Sequence, residues 1–123
     1  GGIMQQPARL LDPTPAELAQ QQLNAYNARD IEAFLEPYAD EVELYNFPNQ
    51  PISVGKERMR RSYSKLFEET PDLHCELVDR MVMGNTVIDQ ERVIFRKGEP
   101  PLNAIAIYKI EEGKIAQVYF ITK

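Results

Sequence analysis

Two hydrophobic periods divide the chain. In the first half, apolar side chains recur every three to four positions, the spacing of one helix face; from residue 72 they recur every second position, the spacing of a strand. "TPAE" places Thr14 as an N-cap, Pro15 at the first helical position and Glu17 as the closing member of a capping box. The helix it starts is expected to run to about Ala28, burying Ala16, Ala19, Leu23 and Tyr26 with Gln22 at the edge of that stripe. Asp30 caps a second, short helix in which Ile31, Phe34, Leu35 and Tyr38 share a face and Pro37 ends the turn. "VELYNFPN", residues 42–49, reads as a strand running into a proline turn, after which Gly55 opens a third helix lined by Met59, Tyr63, Leu66 and Phe67.

Four β-rich runs follow: "LHCELVDRMVM", "TVIDQERVIF", "LNAIAIYKI" and "KIAQVYFIT". Short breaks at Gly84-Asn85, Gly98 to Pro101 and Glu111 to Gly113 make them an antiparallel meander. Three helices ahead of such a meander give an α+β fold, the helices covering one face of a curved, mainly antiparallel sheet. Residues 1–13 lack periodicity and are expected to form a flexible arm, leaving 14–123 as one domain.

Composition narrows the function. The 14 basic and 19 acidic residues give a net charge of −5, which argues against nucleic acid, a partner that needs clustered positive charge. The one basic knot, Lys56, Arg58, Arg60, Arg61 and Lys65, alternates with acidic neighbours on the outside of the third helix and reads as a solvated face. No apolar run approaches the ~18 residues of a membrane span. The opening "GGIMQQ" fits a tag scar or a trimmed leader, so a cytoplasmic location is expected, with export the alternative if a signal peptide has been removed. Cys75 cannot form an internal disulfide and reads as a small buried hydrophobe; the adjacent His74 points to the opposite strand face, so the two cannot act together. No His/Cys/Asp cluster has metal-ligand spacing and no glycine-rich phosphate loop is present, so neither metal nor cofactor is expected.

The order of "AYNARDIEAFLEPYADEVELYNFP", "VGKERMRRSY" and "YKIEEGKIAQVYF" resembles the SnoaL-like and ketosteroid-isomerase-like branches of the nuclear transport factor 2-like superfamily, over nearly the whole chain from residue 14. The resemblance implies a cone-shaped barrel, a bent sheet wrapped around helices and a blind, mostly apolar pocket, usually in a homodimer. It implies no single activity, since the fold carries isomerases, cyclases, dehydratases, binding proteins and adaptors. Laid onto this chain, the isomerase motifs put the catalytic aspartate at Asn46, the oxyanion-holding tyrosine at Gln22 and the protonated aspartic acid near Ala106. Two supporting tyrosines are retained, at Tyr38 and Tyr63. An amide has no conjugate acid in reach, so Asn46 cannot shuttle a proton, and isomerisation of a steroid by that route is not expected.

Asp89 and Glu91 in "VIDQERV" share one strand face with Val87 and Val93, while Gln90 and Arg92 share the other with Ile88 and Ile94. If the carboxylates face inward, the pocket has an acid/base pair; if they face outward, Gln90 and Arg92 enter it and suit a carboxylate-bearing ligand. The plainer reading, and the favoured one, is cross-strand pairing of these charges with basic residues on a neighbouring strand. The pocket residues expected from all these readings are Gln22, Tyr26, Tyr38, Asn46, Tyr63, Gln90, Arg92, Ala106, Tyr108, Val118 and Phe120. The leading reading is a protein that binds a small apolar molecule with a few polar handles. The enzyme alternative is an isomerase, cyclase or hydrolase-like activity with Asp89 or Glu91 as base and His74, Tyr63 or Gln22 as donors. A protein-interaction adaptor is the third, and a filled cone would favour it. The meander carries apolar residues on both faces, Ile105 and Ile107 against Ala104 and Ala106, so a homodimer through the outer face is expected.

Overall fold

The computed structural model describes residues 12–123, so nearly all of the expected arm, 1–13, lies outside the described residues. Helix α1, Pro15–Ala28, begins at the expected capping box: Thr14 Oγ1 accepts from the Glu17 amide, and Glu17 Oε1 accepts from the Thr14 amide at 2.8 Å. Helix α2, Ile31–Leu35, is capped by Asp30, and α3, Lys56–Glu69, starts at Gly55, whose φ of 97° suits a residue without Cβ. The α1 stripe differs from the one expected. Leu18, Ala19, Gln22, Leu23 and Ala25 are its buried residues, and Gln22 lies fully inside the core rather than at its edge.

Among the described residues, six strands form one open sheet in the order β2-β1-β6-β5-β4-β3: β1 Tyr38–Asn46, β2 Gln50–Val54, β3 His74–Met83, β4 Thr86–Ile94, β5 Leu102–Glu111 and β6 Lys114–Thr122. The meander β3 to β6 is antiparallel as the turn spacing predicts, and β1 joins it parallel to β6. Two boundaries differ from the sequence reading. Tyr38 opens β1 instead of extending the second helix, because Pro37 forbids another helical turn. The segment read as a proline turn contains β2, which pairs with β1 and places Pro51 opposite Tyr45. As an edge strand, β2 tolerates a proline that offers no N–H.

Register shifts at Leu44/Tyr45, Leu77/Asp79, Lys109/Ile110 and Tyr38/Glu43 interrupt the ladders. Such irregularities bend and twist a sheet, here around the three helices. The core that results joins Leu18, Leu23, Phe34, Leu35, Val42, Met59, Leu73, Val87, Ile115 and Val118. Asn27 locks α1 to the β3 edge, its Nδ2 donating to the Cys75 carbonyl (3.0 Å) and its Oδ1 accepting from the Cys75 amide (2.8 Å). Among the described residues, no helix is long and apolar enough to cross a membrane.

Candidate functional site

Helices and concave sheet face do not meet everywhere. Between them lies a cavity of about 480 Å³, within the usual range for a small-molecule site. Its wall is mainly apolar and aromatic, with Leu23, Phe34, Leu44, Leu66, Val93, Phe95, Leu102 and Phe120 among the lining residues. The exposed members of the wall, Asn46, Ile52, Arg58, Ser62 and Thr122, mark its mouth, and the buried ones, Gln22, Tyr38, Cys75, Glu91 and Tyr108, its deep end.

Strand alternation resolves the phase of β4. Val87, Asp89, Glu91 and Val93 are buried on the concave side, while Gln90 and Arg92 are exposed on the convex side. Gln90 and Arg92 therefore do not line the cavity, and Arg92 instead pairs across the sheet with Glu76 at 3.1 Å. The two inward carboxylates differ in role. Asp89 is fully buried and bound bidentately by Arg80, Nε at 2.7 Å and Nη2 at 2.9 Å, while Arg80 Nη1 donates to Gln20 Oε1 at 3.0 Å. It is outside the cavity lining, as are Ala106 and Val118, which are packed into the core. His74 is exposed at the start of β3, on the opposite side from Cys75, and is likewise no part of the cavity.

Glu91 is the only carboxyl side chain lining the cavity among the described residues. Burial pushes its pKa up to about 7, the Asp89 charge adds to the rise, and a hydrogen bond from the Cys75 thiol together with the Arg80 charge pulls it partly back. Burial and the Glu91 charge together raise the Cys75 thiol, so Cys75 is a neutral donor and not a nucleophile at neutral pH. Burial likewise raises Tyr26, Tyr38 and Tyr108, and lifts Tyr63 to about 12, so all four phenols stay protonated.

A hydrogen-bond chain gives the deep end a direction. Gln22 Nε2 donates to the Ala19 carbonyl at 2.9 Å, and a carbonyl can only accept, so this contact fixes which way the amide points. The second Nε2 proton goes to Tyr108 Oη at 3.0 Å, and Gln22 Oε1 accepts from Tyr38 Oη at 3.0 Å. Tyr38 therefore spends its proton on Gln22, whereas Tyr108 accepts and keeps its own proton for another partner. Tyr26 packs edge to face with Phe67 and Tyr63, and Tyr63 packs tilted on Phe34, which holds both rings against the cavity.

Of the residues expected in the pocket, Gln22, Tyr26, Tyr38, Asn46, Tyr63, Tyr108 and Phe120 share this one cavity. Ser53, Ser62, Phe95 and Ala104, none of them expected in the pocket, also line it, as does Arg58, which the charge pattern assigns to a solvated helix face. Helical spacing was the available signal for Arg58: positions 58, 62 and 66 form a stripe beside Met59, Tyr63 and Phe67.

The SnoaL-like domain model matches residues 19–118. Among solved structures, an uncharacterised cystatin-fold protein from Novosphingobium aromaticivorans superposes with a TM-score of 0.80 at 28% identity, covering 88% of this chain and 97% of that one. A nuclear transport factor 2-like protein of unknown function from Cytophaga hutchinsonii gives a TM-score of 0.75 at 18% identity, covering 90% and 91%. A SnoaL-like protein of unknown function from Burkholderia thailandensis gives 0.74 at 20%, covering 89% and 93%. No curated protein sequence matches the chain significantly.

Proposed function

Because the chain belongs to the SnoaL-like domain family, we propose that it holds one small, mostly apolar molecule in the cavity and exchanges a proton with it through Glu91. The observation that carries this reading is the isolation of Glu91: one carboxyl at the deep end of an apolar cavity, with a pKa of about 7. A carboxylate in that state takes a proton from carbon or oxygen far more readily than one with an ordinary pKa, and both its forms are populated near neutral pH. Tyr108 supplies the complementary group. Its hydroxyl proton, left over by the Gln22 contact, can meet an oxygen on which negative charge develops. Asn46, exposed at the mouth, can orient a polar handle but moves no proton.

Carboxyl NMR provides the direct test. The Glu91 signal is expected to titrate with a midpoint of about 7. Adding the neutral apolar probe N-phenyl-1-naphthylamine should drive the midpoint higher, because the probe replaces water that solvates the carboxylate. A midpoint near the usual ~4.3 that does not move with the probe would remove the basis of this reading.

The same reading gives the convex sheet face a second copy of the chain as partner. Among the described residues, helices cover the concave face alone, while Ile88, Ile105, Ile107 and Tyr119 are only half-buried on the other side and Met81 is 63% exposed. Burial of such a face removes apolar area from water. Light scattering at micromolar concentration is expected to give twice the 14.1 kDa chain mass, and a monomer at that concentration would contradict the assignment.

A further inference from the structure

The cavity is electrically one-sided. Among the described residues, its lining contains one acidic side chain, Glu91 at the buried end, and one basic side chain, Arg58 at the exposed mouth. Of the helix cations in no ion pair among the described residues, Arg58, Arg61 and Lys65, only Arg58 lines the cavity. Lys56 is paired with Asp40 at 3.8 Å, and Arg60 is paired with Glu57 at 3.2 Å and with Glu32. The nearby carboxylates are thus engaged, and among the described residues the Arg58 guanidinium has neither an ion pair nor a hydrogen bond. Polar side chains from four elements meet around the same opening: Ser62 from α3, Ser53 from β2, Asn46 from β1 and Thr122 from β6.

We infer that the molecule taken by the cavity carries one anionic head group, a carboxylate or a sulfonate, seated at Arg58, with its apolar body directed toward Glu91. The inference rests on the proposal that the cavity holds a small apolar molecule, and it adds the charge and the orientation. An anion at the deep end would lie beside a carboxylate in a poorly solvated space and would be repelled by it. At the mouth it meets a guanidinium whose planar fork suits carboxylate and sulfonate oxygens, with hydroxyl and amide donors around it. The charge of the whole chain, −5, works against anions in general, so recognition has to come from this local site. The arrangement also places the uncharged end of the ligand where Glu91 and Tyr108 can reach it.

Two fluorescent probes that share a skeleton separate the head group from the body: N-phenyl-1-naphthylamine is neutral, and 1-anilinonaphthalene-8-sulfonate adds a sulfonate. The wild-type chain is expected to bind both, the sulfonate more tightly. Arg58→Gln should weaken the sulfonate probe about tenfold, the scale of one charge-assisted contact at a part-exposed site, and leave the neutral probe within about twofold. Arg61→Gln removes the same charge from an exposed neighbour outside the cavity lining and should change neither affinity. Equal weakening of the sulfonate probe by both variants, or none by Arg58→Gln, would overturn the head-group assignment while binding of the neutral probe kept the apolar cavity reading intact. Failure of both probes to bind would overturn both readings.

Discussion

Replacing Glu91 with glutamine is expected to slow proton transfer in the cavity by about 10²-fold while making the protein more stable at alkaline pH. The base-promoted ring opening of 5-nitrobenzisoxazole reads the first effect. In that reaction a base removes the ring C–H proton, the electron pair forms the nitrile, and the N–O bond breaks to leave a phenolate. The wild-type rate should rise with pH through a single inflection near the Glu91 pKa of about 7. Glu91→Gln keeps the shape and polarity of the side chain but has no basic form, and the rate should fall by about 10²-fold, the typical worth of a positioned general base. A rate that survives the substitution would place the base elsewhere.

The stability effect of the same variant follows from linkage. Glu91 has a folded pKa of about 7, above the ordinary glutamate value of 4.5 that stands for the unfolded chain. Below the lower value both states hold the proton, and the carboxyl contributes its full stability. As pH rises from there to about 7, the unfolded chain releases its proton while the folded one retains it, so stability is lost across that window. Above it, the deficit is on the order of 3 kcal/mol. Glu91→Gln escapes this deficit. Urea unfolding should show it more stable than wild type by up to about 3 kcal/mol near pH 8 and close to neutral near pH 4. Equal effects at the two pH values would contradict a raised pKa.

The opposite outcome is expected for the neighbouring carboxylate. Asp89→Ala leaves the Arg80 guanidinium, whose side chain is only 16% exposed, without its bidentate partner. Removing one member of a buried ion pair costs about 3–5 kcal/mol, because the remaining charge is uncompensated. That is a large share of the roughly 5–15 kcal/mol that stabilises a typical domain. Replacing the pair together, Arg80→Met with Asp89→Leu, should recover most of the loss, since no orphaned charge remains. A destabilisation below about 1 kcal/mol for the single variant would mean that water already solvates the pair. In the milder Asp89→Asn variant, the Glu91 midpoint should fall, because a negative neighbour is lost and Arg80 stays. Two carboxylates spaced two residues apart on one strand are thus expected to act in opposite ways: Asp89 stabilises the fold through Arg80, and Glu91 costs stability above its pKa and is the base of the proposed function.

The helices, the meander and their order were legible because each depends on local chemistry. Thr14 and Glu17 cap α1 through contacts three residues apart, and the turns at Gly84-Asn85 and Gly113 pair strands that are adjacent in sequence. Tyr26 and Tyr63 were legible from the apolar stripes of their helices, whereas Gln22, Tyr38 and Asn46 were legible through the family resemblance. Strand β4 had no such stripe. Both its faces mix apolar with charged residues, and both found a partner for their charge on β3: Arg80 for Asp89 inside, Glu76 for Arg92 outside.

By itself, then, the sequence determined that this chain is an α+β domain with three helices on one side of a bent sheet, since helix caps, turn residues and hydrophobic period act over a few residues. Tertiary structure alone decided the rest. It set which face of β4 turns inward, brought Arg58 to the mouth from a helix that reads as solvated, and buried Glu91 beside Cys75 but away from a cation of its own. Those outcomes depend on the bend of the sheet and on contacts between residues far apart in the chain, where desolvation and electrostatic interactions are set by the whole fold and not by neighbours in sequence.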